Sequence, residues 1–229
     1  MLPGLFVGVW VRESISLDDG GASGEEEVLW LQGPETFADV RLLPADVAPG
    51  DPAATAGARV TEAFGGTTHW NGSALHWEHE LDWHGGFADT DLGRIEWVDD
   101  VMVERGTLAV TGADGDRREV TYEEIWRREE LGDAARVLAA TCPGHRGLHV
   151  GVGDWSITLA TRGPGTFAVR LVRPGRATVE VGEGGLCVPG LDDPEWGWAP
   201  RDLPEEDAGS RVGPAVETLS KHPLRRVLP

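Results

Sequence analysis

The sequence has few basic residues for a chain of 229, and this scarcity excludes two broad classes of function. Twenty Lys and Arg stand against 39 Asp and Glu, which gives a formal net charge of −19 at pH 7. Nucleic-acid binders need a basic surface that displaces counterions from phosphates, and anionic membrane surfaces also attract basic segments. We therefore expect an acidic protein that binds neither nucleic acid nor membrane, whose charge chiefly maintains solubility.

Cysteine and long apolar runs are also scarce. The two cysteines, Cys142 and Cys187, are too few for a disulfide framework. No segment approaches the roughly 20 consecutive apolar residues of a membrane-spanning helix. The apolar N-terminus has no basic residue ahead of it, unlike a signal peptide. These absences favour free thiols and a cytoplasmic location.

Tyrosine and phenylalanine are few, whereas tryptophan is abundant. Ten tryptophans accompany one tyrosine and five phenylalanines. A buried indole brings a large apolar surface and one N–H group that requires a partner. This composition favours a wide, partly polar interior.

Residues 65–84 contain the clearest secondary-structure signal. In its second half, residues 76–84, apolar residues and His79 alternate with charged residues and two further histidines, which is typical of a strand with one buried and one solvated face. Asn71-Gly72 is the dipeptide most favoured in a two-residue hairpin turn. The segment therefore predicts a hairpin of residues 63–70 and 74–83. The buried side of its second strand is predicted to be Trp77, His79, Leu81 and Trp83.

The rest of the chain consists of short alternating segments between turn residues. Strands and helices do not alternate, so we expect an all-β antiparallel meander that closes into a barrel. A flat sandwich is the alternative; the barrel is favoured because closure removes exposed edges and leaves room for Trp and Arg. Strands are predicted at residues 6–17, 25–32, 36–43, 63–70, 74–83, 92–97, 101–106, 119–128, 133–140, 148–152, 155–161, 166–173 and 177–181.

Three regions are expected along the chain. Residues 1–130 form the barrel, and residues 131–185 add strands that either complete it or form a second small β domain. Residues 186–229 form a tail that contains seven of the 15 prolines. Because proline cannot donate to a strand ladder, we expect this tail to wrap the surface, with Trp196 and Trp198 holding it to the barrel wall.

A series of short motifs runs through roughly residues 6–128 in a fixed order. They are Trp10-x-Arg12-x-Ser14, Val28-Leu29-Trp30-Leu31-Gln32, Phe37-x-Asp39-Val40-Arg41, Gly65-Gly66-Thr67-Thr68, Trp77-x-His79-x-Leu81-Asp82, Asp91-x-Gly93-Arg94-Ile95, Glu104-x-Gly106 and Tyr122-x-Glu124-x-Trp126-x-Arg128. Together they resemble a small family of fungal and bacterial proteins built on lipocalin-like (calycin) barrels. The resemblance implies two barrel domains and a relative known as an interactor of a casein-kinase homologue; it implies no activity.

Polar residues repeatedly occur two positions away from a tryptophan. Every second residue of a strand points to the same side, so an inward indole places its polar neighbour inward as well. We expect such residues to line a common cavity. The candidate lining is Trp10, Arg12, Trp30, Gln32, Arg41, Trp77, His79, Tyr122, Glu124, Trp126 and Arg128.

Two interpretations of this polar set remain open. The first is a cavity that binds a small apolar or amphipathic molecule, with Arg and His anchoring its polar and even anionic end. The second is a set of internal salt bridges, with Asp39 or Glu124 as counter-ions, because buried charges are usually satisfied within the protein. We favour binding without catalysis and expect no cofactor or metal.

Three further functions are alternatives to simple binding. An enzyme of the lyase or isomerase kind would use His79 and Glu124 as an acid–base pair, with Arg12 or Arg128 holding a carboxylate. A haem-binding barrel would use His149 or His79 as its axial ligand. An interaction scaffold would bind a partner protein or a second copy of the chain.

Overall fold

The fold is all β. The structure is a computed structural model that describes residues 2–18, 26–44, 54–55, 58–84, 91–99, 101–111, 117–131 and 137–201. Within these ranges the helical residues belong to one short 3-10 turn, Pro143–His145, and no helix is long and apolar enough to cross a membrane. The strands are β1 (Gly8–Leu17), β2 (Glu27–Gln32), β3 (Thr36–Pro44), β4 (Ala54–Thr55), β5 (Ala58–Trp70), β6 (Ala74–Asp82), β7 (Asp91–Val98), β8 (Val101–Thr111), β9 (Arg117–Arg128), β10 (Val137–Thr141), β11 (Gly147–Val152), β12 (Trp155–Gly163), β13 (Thr166–Val172), β14 (Val179–Glu183) and β15 (Ala199–Arg201).

Eight of these strands form a closed antiparallel barrel. Neighbouring strands pair along β1-β2-β3 and along β5-β6-β7-β8-β9, and β3 pairs with β5. The first and last strands close the ring, since Trp10 of β1 lies opposite Arg128 of β9. The predicted meander barrel is confirmed, including the hairpin of β5 and β6. Its turn is held by Asn71, whose Oδ1 accepts hydrogen bonds from the backbone N–H groups of Ser73 and Ala74.

The later strands form a separate sheet. Its order is β14-β13-β12-β11-β10-β15, and all pairings are antiparallel. Within the described residues β14 and β15 do not pair with each other, so this sheet stays open. The barrel is complete without these strands.

An aliphatic core joins the second sheet to the outer wall of the barrel. Leu29 and Leu31 of β2 and Val40 of β3 point outward and pack with buried residues of the second sheet. Their partners include Val150 and Leu159. Burial of one such side chain stabilises the fold by about 1.5–3 kcal/mol. For this reason β2 is apolar on both faces at its centre.

The tail covers the far face of the second sheet. Leu186, Val188, Trp196 and Trp198 are buried there against small residues of that sheet. The prediction that both tryptophans hold the tail to the barrel wall is therefore wrong. The tail reaches the barrel through Arg201, which donates hydrogen bonds to Glu80 and Thr67. The predicted tail beyond residue 201 lies outside the described residues.

A β-bulge interrupts the alternation predicted for β6. Gly66 lies opposite His79 and Gly65 lies opposite Leu81, so Glu80 is an extra residue. The bulge requires glycine, because a Cβ at Gly66 would lie 1.9 Å from the carbonyl oxygen of Glu78. The prediction of one buried side for β6 is wrong beyond this point. Trp77 and His79 face the barrel interior, whereas Leu81 and Trp83 face the second sheet.

Candidate functional site

The barrel interior contains a cavity of about 930 Å³. Three indoles of its wall, from Trp30, Trp77 and Trp126, meet edge to face with ring centroids 5.6 Å apart at each of the two contacts. Phe37 and Phe64 extend the aromatic wall. The mouth lies among exposed residues of β8 and β9, such as Thr107, Ala109 and Arg118.

The opposite end of the barrel is filled by aromatic side chains. Trp10 is fully buried and stacks on Trp30 with centroids 5.8 Å apart. Its Nε1 donates a hydrogen bond to the carbonyl oxygen of Phe6, at 2.8 Å. Phe6 also contacts the rings of Trp70 and Trp97. The cavity is therefore closed at this end and accessible from the other.

Arg12 is paired within the barrel wall. Its Nη1 donates a hydrogen bond to Glu124 Oε1 at 2.7 Å, and its Nη2 lies 3.8 Å from Glu26 Oε2. The side chain of Arg12 is only 3% exposed. Burial raises the pKa of Glu124 even though Arg12 opposes the shift. A second bulge, at Glu13, follows Arg12 and turns Ile15 onto the cavity wall, contrary to simple alternation.

Arg41 forms a second ionic group on the wall. Its Nη1 lies 2.9 Å from Glu62 Oε2, and its Nε lies 3.5 Å from Asp39 Oδ1. Burial raises the pKa of Asp39 to about 7, although the nearby Arg41 guanidinium acts in the opposite direction. The sequence suggested Asp39 only as a counter-ion; the structure also places it on the cavity wall.

His79 forms a third group with two carboxyl groups. Its Nε2 lies 2.9 Å from Asp91 Oδ2 and its Nδ1 lies 3.5 Å from Asp82 Oδ2, while the ring stacks on Phe64 at 4.3 Å. Burial alone lowers the pKa of His79, but the contacts with Asp82 and Asp91 outweigh it and the pKa is raised. Asp82 turns inward because of the bulge at Glu80, so the alternation pattern missed it.

Glu104 is a wall residue that sequence reasoning left out of the site. Its Oε1 accepts a hydrogen bond from the Tyr122 hydroxyl at 2.7 Å, and its Oε2 accepts one from Trp126 Nε1 at 3.0 Å. Burial and the neighbouring Glu124 raise its pKa well above the usual range. Gly93 provides the space, since a Cβ there would lie 2.5 Å from Glu104. The motif Glu104-x-Gly106 was the sequence feature that could have indicated Glu104 as a wall residue.

The predicted lining divides into three groups. Trp30, Arg41, Trp77, Tyr122, Glu124 and Trp126 lie on the cavity wall. Trp10, Arg12, Gln32 and His79 lie behind it, each in contact with a wall residue. Gln32 accepts hydrogen bonds from Trp30 Nε1 at 3.1 Å and Thr68 Oγ1 at 2.8 Å.

Arg128 does not share the cavity, which corrects its predicted position. It is exposed at the closed end of the barrel, where it donates to the carbonyl oxygen of Val7 and lies 5.9 Å from the Trp10 ring centroid. Gly8 makes room, because a Cβ there would lie 2.7 Å from Arg128 Nε. Alternation gave the correct side of β9 but could not show that the interior ends before residue 128.

One of the two histidines considered for haem, His149, lies outside the barrel interior. His149 is buried in the second sheet, with Nδ1 2.9 Å from Thr158 Oγ1. Burial lowers its pKa to about 4. Across the described ranges, no group of three or more His, Cys, Asp or Glu side chains is arranged as a metal site. The internal ion pairs and the cavity, offered as alternatives by the sequence, are both present.

The chain matches one family model over most of its length. The model of the family described as Protein HRI1 covers residues 8–189. The chain belongs to the HRI1 family. No curated protein matches it. The HRI1 match begins with β1 and continues past β14, so it includes the second sheet and extends beyond the residues that carried the sequence resemblance.

Proposed function

We propose that the barrel cavity binds a small, mostly apolar molecule without converting it, in the cytoplasm. The observation that carries this proposal is the aromatic cavity of about 930 Å³ with an accessible mouth. Ligand sites are typically concave, largely apolar and about 300–1,000 Å³ in volume, with a few polar groups for orientation. Such an interior has more room than a core built only for stability requires.

The indoles of the cavity wall are held in place before any ligand arrives. Trp126 donates to Glu104 at 3.0 Å, and Trp30 donates to Gln32 at 3.1 Å. Both indoles therefore present fixed faces to the cavity. Rigid aromatic walls favour binding because less side-chain freedom is lost when the complex forms.

The resemblance to lipocalin-like (calycin) barrels supports the same proposal. An eight-stranded barrel has an interior just wide enough for side chains or one small ligand. In this barrel the aromatic end is filled and the other end is not. The size of the space therefore favours a single occupant.

Acid–base catalysis is the second candidate, and one contact favours it. Asp91 lies on the cavity wall, 2.9 Å from His79 Nε2. A carboxylate that orients an imidazole is a common feature of general bases. The predicted partner of His79, Glu124, is instead bound to Arg12, so a catalytic pair would have to be His79 and Asp91.

Binding can be tested with N-phenyl-1-naphthylamine, a neutral apolar dye whose fluorescence increases in apolar sites. We expect the dye to bind and to quench indole fluorescence. Ala109→Trp, at the exposed mouth, should weaken binding by about tenfold, which corresponds to about 1.4 kcal/mol. The control is Ala199→Trp, at an exposed position of β15, which should leave binding unchanged. Equal binding by both variants, or no binding at all, would contradict the proposal.

A further inference from the structure

Carboxyl groups outnumber cations in and around the barrel interior. Arg12, Arg41 and His79 each already contact two carboxyl groups. Glu104 accepts hydrogen bonds from two neutral donors, Tyr122 and Trp126. Apart from Arg117, Arg118 and Glu119 at the exposed mouth, this gives three cationic side chains for seven carboxyl groups among the described residues. The seven are Glu26, Asp39, Glu62, Asp82, Asp91, Glu104 and Glu124.

Five of these carboxyl groups lie on the cavity wall with the indoles: Asp39, Glu62, Asp91, Glu104 and Glu124. Asp39 supplies an independent sign of an unmet interaction. It is only 5% exposed, and its Oδ1 is buried without a hydrogen-bond partner. Arg41 Nε lies 3.5 Å away without forming a hydrogen bond to it, and is itself buried without a hydrogen-bond partner. A buried acceptor of this kind is costly unless something binds to it.

We propose that the molecule bound in this cavity is a cationic amphiphile. Its ammonium or guanidinium group would lie among Glu104, Glu124 and Asp39, and its apolar part would occupy the rest of the aromatic cavity. This inference rests on the proposed binding function and names the class of ligand. The inference replaces the anionic ligand group considered from the sequence with a cationic group.

The wall indoles favour the same charge. The face of an indole attracts a cation within about 6 Å of the ring centroid, and the attraction grows when water is excluded. Trp30, Trp77 and Trp126 line the same cavity as these carboxyl groups. Indole faces and carboxylates together are the combination that recognises an organic cation.

An anionic ligand finds no comparable site among the described residues. Arg12 is buried against Glu124, and Arg41 is held by Glu62 and Asp39. Two further arginines, Arg117 and Arg118, lie at the exposed mouth, where solvent and salt screen their charge. An anion deep in the cavity would also meet the excess carboxylates.

Binding of a cation should release a proton. In the free protein, burial and Glu124 raise the pKa of Glu104 well above the usual range, which favours its protonated form. A nearby positive charge favours the ionised form and lowers that pKa. The titratable groups that face Glu104 are Asp91 from β7 and Tyr122 and Glu124 from β9, with Arg12 of β1 beyond Glu124.

Three probes of similar shape and different charge test the inference. They are 3-phenylpropyltrimethylammonium, 3-phenylpropan-1-ol and 4-phenylbutanoate, measured by isothermal titration calorimetry with the full chain at pH 7. We expect the ammonium compound to bind at least about tenfold more tightly than the alcohol and the anion to bind most weakly. Titrations in phosphate and Tris, which differ in ionisation enthalpy, should show proton release with the cation only.

The matched variants are Glu104→Gln and Glu123→Gln. The first substitution keeps the shape and an acceptor oxygen of the side chain but removes its charge, so the preference for the cation over the alcohol should nearly disappear. Glu123 lies on the outer, exposed side of the same barrel wall and pairs with Arg105, so its variant should keep the full preference. Where Glu104→Gln fails to fold, proton release that persists in Asp39→Asn still tests the glutamates of the site, because Asp39 itself has a pKa of about 7.

Each adverse result has a distinct meaning. Equal or tighter binding of the alcohol or the anion, still blocked by Ala109→Trp, would overturn the cationic inference and leave the proposed binding function standing. A cation preference that survives Glu104→Gln without proton release would overturn the assignment to Glu104. No binding of any probe would overturn both proposals.

Discussion

The molecule has two interiors, and they are built in opposite ways. Between the barrel and the second sheet, the core is almost entirely aliphatic. Inside the barrel, indoles alternate with arginine, histidine and carboxyl groups around a cavity. The same strands supply both, since Leu29 and Leu31 of β2 face the first core, whereas Trp30 and Gln32 face the second. In our proposal the aliphatic core provides stability and the barrel interior provides the binding site.

The contrast has a physical basis. Apolar burial stabilises in proportion to the area removed from water, and the aliphatic core uses this effect alone. A buried ion pair gains attraction but loses hydration, so its net contribution to stability is small or unfavourable. An interior rich in ion pairs is therefore poorly explained by stability. The following predictions test this difference.

The largest effect is expected where one ion pair of the barrel is broken. Arg12→Met should lower the free energy of unfolding by about 3–5 kcal/mol, because Glu124 is left buried without its main cation. The double variant Arg12→Met with Glu124→Leu should be much closer to the wild type, since apolar pairs often replace buried ion pairs at little cost. Denaturation with guanidinium chloride measures both. A double variant as unstable as the single one would show that the pair itself stabilises the barrel.

The aliphatic core should respond to substitution differently from the barrel interior. Leu159→Ala should lower the free energy of unfolding by about 2–5 kcal/mol through the cavity it leaves, while dye binding in the barrel persists in the folded fraction. Leu92→Ala is the control, because Leu92 is exposed and should change stability by less than about 0.5 kcal/mol. Similar losses of unfolding free energy for Leu159→Ala and Leu92→Ala would contradict the position of the aliphatic core.

The pH dependence of stability should have opposite signs for Asp39 in the barrel and His149 in the second sheet, with slopes of up to about 1.4 kcal/mol per pH unit for each proton. Burial raises the pKa of Asp39 from 3.8 to about 7, so the folded state binds the extra proton. The contribution of Asp39 to the free energy of unfolding is full below pH 3.8 and is lost as the pH rises towards 7. Burial lowers the pKa of His149 from 6.5 to about 4, so its contribution is full above pH 6.5 and is lost as the pH falls towards 4.

Denaturation between pH 4 and pH 7 separates these two contributions. Asp39→Asn should make the free energy of unfolding rise more steeply with pH, because it removes the contribution of Asp39, which decreases as the pH rises. His149→Gln should make the free energy of unfolding fall more steeply with pH, because it removes the contribution of His149, which increases as the pH rises. Identical pH profiles for the wild type and Asp39→Asn would contradict the raised pKa of Asp39.

The sequence by itself determined much of the fold. Alternation with a period of two and the turn at Asn71-Gly72 predicted the strands and the central hairpin. The pairing of Trp30 with Gln32 and of Trp126 with Glu124 on single strand faces was also visible, because alternate residues of a strand share a side. Most of the predicted lining accordingly lies on the cavity wall or behind it.

Only the tertiary structure decided the rest. The bulge at Glu80 shifts alternation by one residue, which brings Asp82 inward and sends Leu81 to the second sheet. Pairing of β8 with β9 places Glu104 opposite Glu124, and the end of the barrel leaves Arg128 outside the cavity. A local pattern specifies the side of a strand that a residue occupies. The neighbours across the barrel and the depth of the interior depend on register and closure, which involve residues far apart in the chain.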